Sequence, residues 1–209
     1  VVDVATAYAS ASVRETNGNT IDHSGFIDTD LRAVIGVIPG RLIFTLVGTI
    51  PTGAAEVPDT TIPLFGATAT DLLGFTTPGF GSGGGFSGGF ASAFKVGQNW
   101  AVGTGASYRY GASYTPVAGG GELSPGGEVR ARFGLEGPFG GGKYFRGAFV
   151  YTTSGANELG GGGRQSVIGD RALAYATVNL PLGRSSLQLY GWEMRRLAPF
   201  GFAVVEVPD

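Results

Sequence analysis

The chain contains no cysteine, one histidine and one methionine among its 209 residues. Disulfides, thiolate metal sites and cysteine nucleophiles are therefore excluded, and cysteine usage leaves the redox compartment open. Charge is scarce as well: Lys, Arg, Asp and Glu supply 14% of the residues, against about 25% in an ordinary soluble domain. So little charge covers a water-facing surface badly, which points to surface in contact with another medium. The net charge of −2 excludes a strongly basic nucleic-acid binder, because neutralising phosphates takes clustered Lys and Arg. No run of eighteen apolar residues occurs, so a membrane-spanning helix is excluded. The opening VVDVATAYAS alternates at once and lacks a basic segment followed by an apolar core, so any secretion signal is expected to be gone already.

What the chain has is glycine, 39 residues of it, without the period of three that collagen requires. It also has alternation. In Phe86–Tyr114, one set of alternate positions reads Phe86, Gly88, Phe90, Ser92, Phe94, Val96, then Trp100, Val102, Thr104, Ala106, Tyr108, Tyr110, Ala112, Tyr114. The intervening set is Gly, Ala and Ser with Lys95 and Arg109. The same two-residue period recurs in Asp3–Arg14, Leu31–Ile38, Arg41–Ile50, Glu128–Glu136, Lys143–Thr153, Asp170–Leu180 and Ser186–Met194. Such patterning specifies strands with two unlike faces, and no segment carries a helical period.

Short turns (IPGR, VGQNW, GPFGGGK, LPLGRS) alternate with long connections at about 15–30, 51–85, 115–127 and 154–169. Strands of nine to twelve residues, joined tightly at one end and loosely at the other, predict an all-β, up-and-down antiparallel transmembrane β-barrel. About ten strands are expected, nine of them evident and a tenth beginning near Gly201, in a single domain over 1–209. In lipid every backbone N–H and C=O must pair within the protein, and a closed barrel achieves that without an edge. The aromatic face then meets the acyl chains. Trp100, Tyr108, Tyr110, Tyr114, Phe145, Phe149 and Tyr151 are the expected membrane-interface aromatics. The alternative is a soluble barrel or Gly-rich cell-surface β-protein with the aromatic face packed inward, although its outer face would be poor in polar groups.

With the rings toward lipid, the lumen receives Lys95, Arg109, Glu128, Arg130, Arg132, Glu136, Arg146 and Asp170. Pairing around the 115–127 loop sets Arg109 opposite Arg132, and pairing around the glycine turn sets Glu136 near Arg146. These charges read either as salt bridges bracing the wall or as a cationic constriction favouring anionic or polarisable solutes. The long segment containing PLFGATATDLLGFTTPGF is apolar for an exposed loop. It is expected to fold into the barrel or to form a hydrophobic entry site.

Three motifs tempt and fail. GPFGGGKY (Gly137–Tyr144) nearly matches a phosphate loop, but Tyr144 replaces the magnesium-holding hydroxyl and a strand follows where a helix is needed. Asp22–His23–Ser24 holds the ingredients of a triad, yet immediate neighbours do not converge, and His23 reads as a solvated loop residue. The loop acids Asp22, Asp28, Asp30, Glu56, Asp59, Asp71, Glu122 and Glu158 lack the regular spacing of a calcium loop. No catalytic residue, metal site or cofactor is expected, and the chain is not read as an enzyme.

LIFTLVGTIPTG (Leu42–Gly53), LGFTTPGFGSG (Leu73–Gly83) and SPGGE (Ser124–Glu128) resemble a family of outer-membrane β-barrel transporters associated with phenol and aromatic-compound degradation. The likeness covers about three-quarters of the chain. It implies a bacterial, Gram-negative outer-membrane barrel that moves small, often hydrophobic or aromatic, molecules, with no catalytic signature to carry over. One departure stands out: such barrels commonly finish on a strand ending in an aromatic residue, whereas this sequence stops at VVEVPD, so a closing strand is expected beyond it. The expected function is passive uptake, with the lipid bilayer and a small solute as partners. The alternative is a structural or adhesive surface barrel with a plugged lumen.

Overall fold

The computed structural model describes residues 1–64, 80–160, 163–165 and 170–196. The chain opens with β1 (Val2–Ala5) and β2 (Tyr8–Arg14), and returns through β3 (Thr20–Phe26) and β4 (Thr29–Ile38). It continues through β5 (Leu42–Ile50), β6 (Gly85–Val96), β7 (Trp100–Gly111) and the two-residue β8 (Leu123–Ser124). Next come β9 (Glu128–Pro138), β10 (Tyr144–Ser154), β11 (Asn157–Leu159) and β12 (Gly163–Gln165). The last hairpin is β13 (Arg171–Leu182) and β14 (Ser185–Arg196). The protein is all-β and antiparallel, as the alternation predicts.

Nine strands form one sheet in the order β1-β4-β5-β6-β7-β9-β10-β13-β14. Among the described residues this sheet is open, with β1 and β14 at its edges. Its short turns rest on glycine where the chain must reverse sharply. Gly97 (φ 63°) and Gly183 (φ 61°) occupy the left-handed region that other residues enter at a cost. The expected tenth strand near Gly201 lies outside the described residues.

The long connections are more ordered than the sequence suggests. The stretch 15–30, expected as loop, contains β3 and the start of β4. β2 and β3 pair from Tyr8↔Phe26 to Arg14↔Thr20, one residue out of register with the β1–β4 pairing that ends at Ala5↔Asp30. The Ile27 N–H donates to the Ala7 carbonyl at 2.9 Å across that step. β2–β3 is thus an extension of the first hairpin, seven residues or about 23 Å long. The 115–127 and 154–169 connections contribute β8, β11 and β12, which form a small sheet in the order β12-β11-β8. Most of PLFGATATDLLGFTTPGF lies outside the described residues.

Burial is distributed unusually. Among the described residues, the buried hydrophobic side chains are Val57, Leu64 and Phe80, all in the connection between β5 and β6. The large side chains of the main sheet stay open: Phe86 is 56% exposed, Phe94 52% and Phe133 51%. The large apolar residues of the sheet are uncovered by any other described layer.

Candidate functional site

Directly opposed residues of antiparallel strands share a face, so the registers assign every side chain of the sheet. On one face lie Ile35, Phe44, Phe90, Phe94, Trp100, Tyr108, Tyr110, Phe133, Phe145, Phe149 and Tyr151. Several of these rings touch: Phe86 and Tyr110 have centroids 5.3 Å apart, Phe44 and Phe90 6.3 Å, Trp100 and Phe145 6.5 Å. The Trp100 ring lies over Gly137, where an added Cβ would stand 2.5 Å from the indole. Tyr114 is different. It sits beyond β7, half-buried in the loop region, bridged to Leu123 by backbone bonds of 2.7 and 3.0 Å.

The opposite face carries Lys95, Arg109, Glu128, Arg130, Arg132, Glu136 and Arg146. Asp170 is placed elsewhere: it precedes β13 and accepts a hydrogen bond from Tyr151, a residue of the aromatic face. Glu136 and Arg146 stand opposite each other, and the guanidinium Nε donates to the carboxylate at 2.8 Å. Arg109, however, faces Glu128, whereas the sequence reading set it opposite Arg132. The reason is that pairing continues past Gly111 in the same register, through Tyr114↔Leu123, to a turn in which the Gly120 N–H donates to the Val117 carbonyl at 2.8 Å. The loop is a prolonged hairpin, and its true centre shifts Arg132 to a place opposite Gly105 and Val150.

Three successive rows cross this face. The row nearest the long connections reads Gly89, Ser107, Arg130, Thr152, Arg171, Arg196. The middle row reads Ala91, Gly105, Arg132, Val150, Leu173, Met194. The third reads Ala93, Gly103, Gly134, Ala148, Tyr175, Trp192. A cavity of about 570 Å³ opens over them, lined by Arg130, Arg132, Arg171, Leu173, Tyr175 and Met194 among others. Glu128 ties two of the cations together, accepting from Arg130 Nη2 at 2.9 Å and from Arg171 Nη2 at 3.0 Å. Arg132 makes no ion pair or side-chain hydrogen bond among the described residues.

Sequence reasoning missed the contribution of β13 and β14 to this site. Both alternate visibly, but alternation carries no sign. It divides the residues into two sets without stating which set continues the neighbouring strand's face. Here Ala172, Ala174 and Ala176 continue the aromatic face, and Leu173, Tyr175, Tyr190, Trp192 and Met194 continue the arginine face.

At the long-connection end, Asp28 anchors the excursion between β5 and β6. Its Oδ1 accepts from the Gly53 N–H at 3.1 Å, and its Oδ2 accepts from the Ser82 N–H and Oγ, each at 2.7 Å. Neither neighbouring glycine tolerates a side chain: a Cβ on Gly53 would collide with the Phe80 carbonyl, and one on Gly81 with the backbone of Ala54 and Ala55. Burial, followed by the nearby Asp28 charge, raises the Tyr114 phenol above its ordinary pKa. His23, expected as a solvated loop residue, instead sits on β3 with its ring edge-on to Phe80 at 4.5 Å. Asp22 and Ser24 point to the other face of that strand, so the three neighbours do not converge.

No protein-family model and no curated protein sequence matches the chain.

Proposed function

We propose that the chain forms a transmembrane β-barrel of the bacterial outer membrane and passes small molecules by diffusion. The observation that carries this reading is the pairing, over β6, β7 and β9, of an uncovered aromatic face with a face of small and charged residues in one antiparallel sheet. Twelve residues extend about 40 Å, which at a tilt near 45° gives about 28 Å of height, close to the apolar band of outer-membrane barrels. Trp100 and Phe145 stand at the tight-turn end of that band and Tyr108 and Tyr110 toward the other, the places favoured by interfacial aromatics. The charged pair Glu193–Arg195 on the aromatic face falls within the last four residues of β14, at the height of the headgroups.

Closure has a parity condition. Every pairing in the sheet is antiparallel, so β1 and β14 run in the same direction. An all-antiparallel cylinder therefore needs one strand more than these nine. Solute then moves along the small-residue face, where missing side chains leave room, and the arginines bias the choice of solute. The resemblance to outer-membrane transporters of aromatic-compound degradation agrees with this reading.

Liposome swelling tests it. Vesicles containing the protein should swell in isotonic arabinose or glycine, and should fail to swell if the lumen is blocked. The Asp28-anchored segment, with its buried Val57, Leu64 and Phe80, favours a second reading as a plugged structural barrel. Absence of swelling for a protein that still shifts with heating on a gel would select that alternative.

A further inference from the structure

We infer that the cavity on the arginine face is a binding site for small organic monocarboxylates, with the carboxylate on Arg132 and the apolar body against Leu173 and Met194. This rests on the channel reading for the ligand's route, although binding itself is measurable without transport.

The charge count of the cavity sets the head group. Arg130 and Arg171 share Glu128, so both guanidiniums are already engaged. Arg132 is engaged by no carboxylate among the described residues. Its stem packs across Gly105, its Cγ 3.5 Å from where a Cβ would start, so the strand beside it supplies no competing side chain. One free planar guanidinium matches one carboxylate, which it can bind through two parallel hydrogen bonds. Glu128 offsets one of the two neighbouring arginines, so the cavity keeps a surplus of positive charge that favours an anion over a neutral solute.

The row containing Arg132 sets the body. Beyond Val150 come Leu173 and Met194, two and three strands away, about 10 and 14 Å along the row. Tyr175 stands beside them in the adjacent row, over a floor made small by Gly134 and Ala148. An inorganic anion at Arg132 would leave that apolar wall in water. A six-carbon chain or a single ring bridges the distance and covers it.

The test uses the whole chain in detergent micelles, with benzoate and hexanoate against benzamide and hexanamide, read by calorimetry. Each acid should bind at least about tenfold more tightly than its amide, the scale of one charge-assisted hydrogen-bonded pair. Arg132→Gln should abolish the preference and Arg132→Lys should keep part of it, while Leu173→Asn should weaken acids and amides together. Each variant is first shown to fold by its heat-dependent gel shift. Equal binding of acid and amide, an unaltered preference in Arg132→Gln, or displacement of benzoate by equimolar chloride would overturn the inference. Swelling in arabinose with no acid preference refutes this site and leaves the channel standing. Acid-selective binding without any swelling does the reverse.

Discussion

The hairpins β6–β7 and β13–β14 are built alike: twelve residues per strand, a tight turn opened by a left-handed glycine, and unbroken antiparallel pairing. Their aromatic residues nevertheless lie on opposite faces of the same sheet. In the first, Phe86, Phe90, Phe94, Tyr108 and Tyr110 project from the face opposite the arginines. In the second, Tyr175, Tyr190 and Trp192 stand on the arginine face and alanines occupy the other. A large ring thus has no fixed destination in such a sheet. Its role follows from the register of the strand that carries it, and the inversion gives one face an apolar stripe next to its cations.

The sharpest way to break this comparison is to place the same charge on each hairpin. Phe90→Arg should cost about 2–4 kcal/mol of stability in lipid vesicles, the penalty of a cation against acyl chains, whereas Trp192→Arg should stay within about 1 kcal/mol. Urea unfolding followed by tyrosine fluorescence measures both, and equal penalties would remove the assignment of faces. The chain's two tryptophans offer a second, smaller contrast, since Trp100 and Trp192 report opposite faces. In single-tryptophan variants, brominated acyl chains should quench Trp100 several-fold more than Trp192, and aqueous iodide should reverse the order.

A pH titration separates the hairpins at their open ends. Tyr114 adjoins β7. Its phenol is raised, so its contribution is whole below about pH 10 and is lost as pH climbs through the higher folded value. Tyrosinate absorbance should lose a late-titrating component in Tyr114→Phe, with the loop end of β6–β7 loosening first. The smallest effect concerns the surface pairs. Glu136–Arg146 on the arginine face and Glu193–Arg195 on β14 are both exposed, and double-mutant cycles should return under about 1 kcal/mol for each.

How much of this was legible in the chain divides along physical lines. Eight strands of the main sheet were legible, because a two-residue period is local and each short turn announces itself with glycine; the first, read as Asp3–Arg14, divides into β1 in the main sheet and β2 paired with β3. The opposition of Glu136 and Arg146 was legible too, since a short turn leaves little choice of register. The placement of Arg109 was not: a thirteen-residue connection admits several registers, and only the Tyr114↔Leu123 bridge selects one. The membership of Leu173, Tyr175 and Met194 in the cavity was hidden for a related reason, since it depends on a phase relation between strands far apart in sequence. β3 was obscured by composition, for TIDHSGF is polar enough to pass as loop, and its partners Ala11 and Val13 lie on the far side of a turn.

Asp28 has a consequence for how such a chain can change. One carboxylate fastens both Gly53 and Ser82, so the sheet meets the excursion between them as a closed ring with fixed ends. The entropy of joining those ends grows only as the logarithm of length, about 0.6 kcal/mol for each doubling. Residues can therefore be gained or lost inside the ring at little expense, and the main sheet remains indifferent to them. The clasp makes that stretch an exchangeable cassette, through which the long-connection end of the sheet can be restyled without reopening the question of how its strands pair.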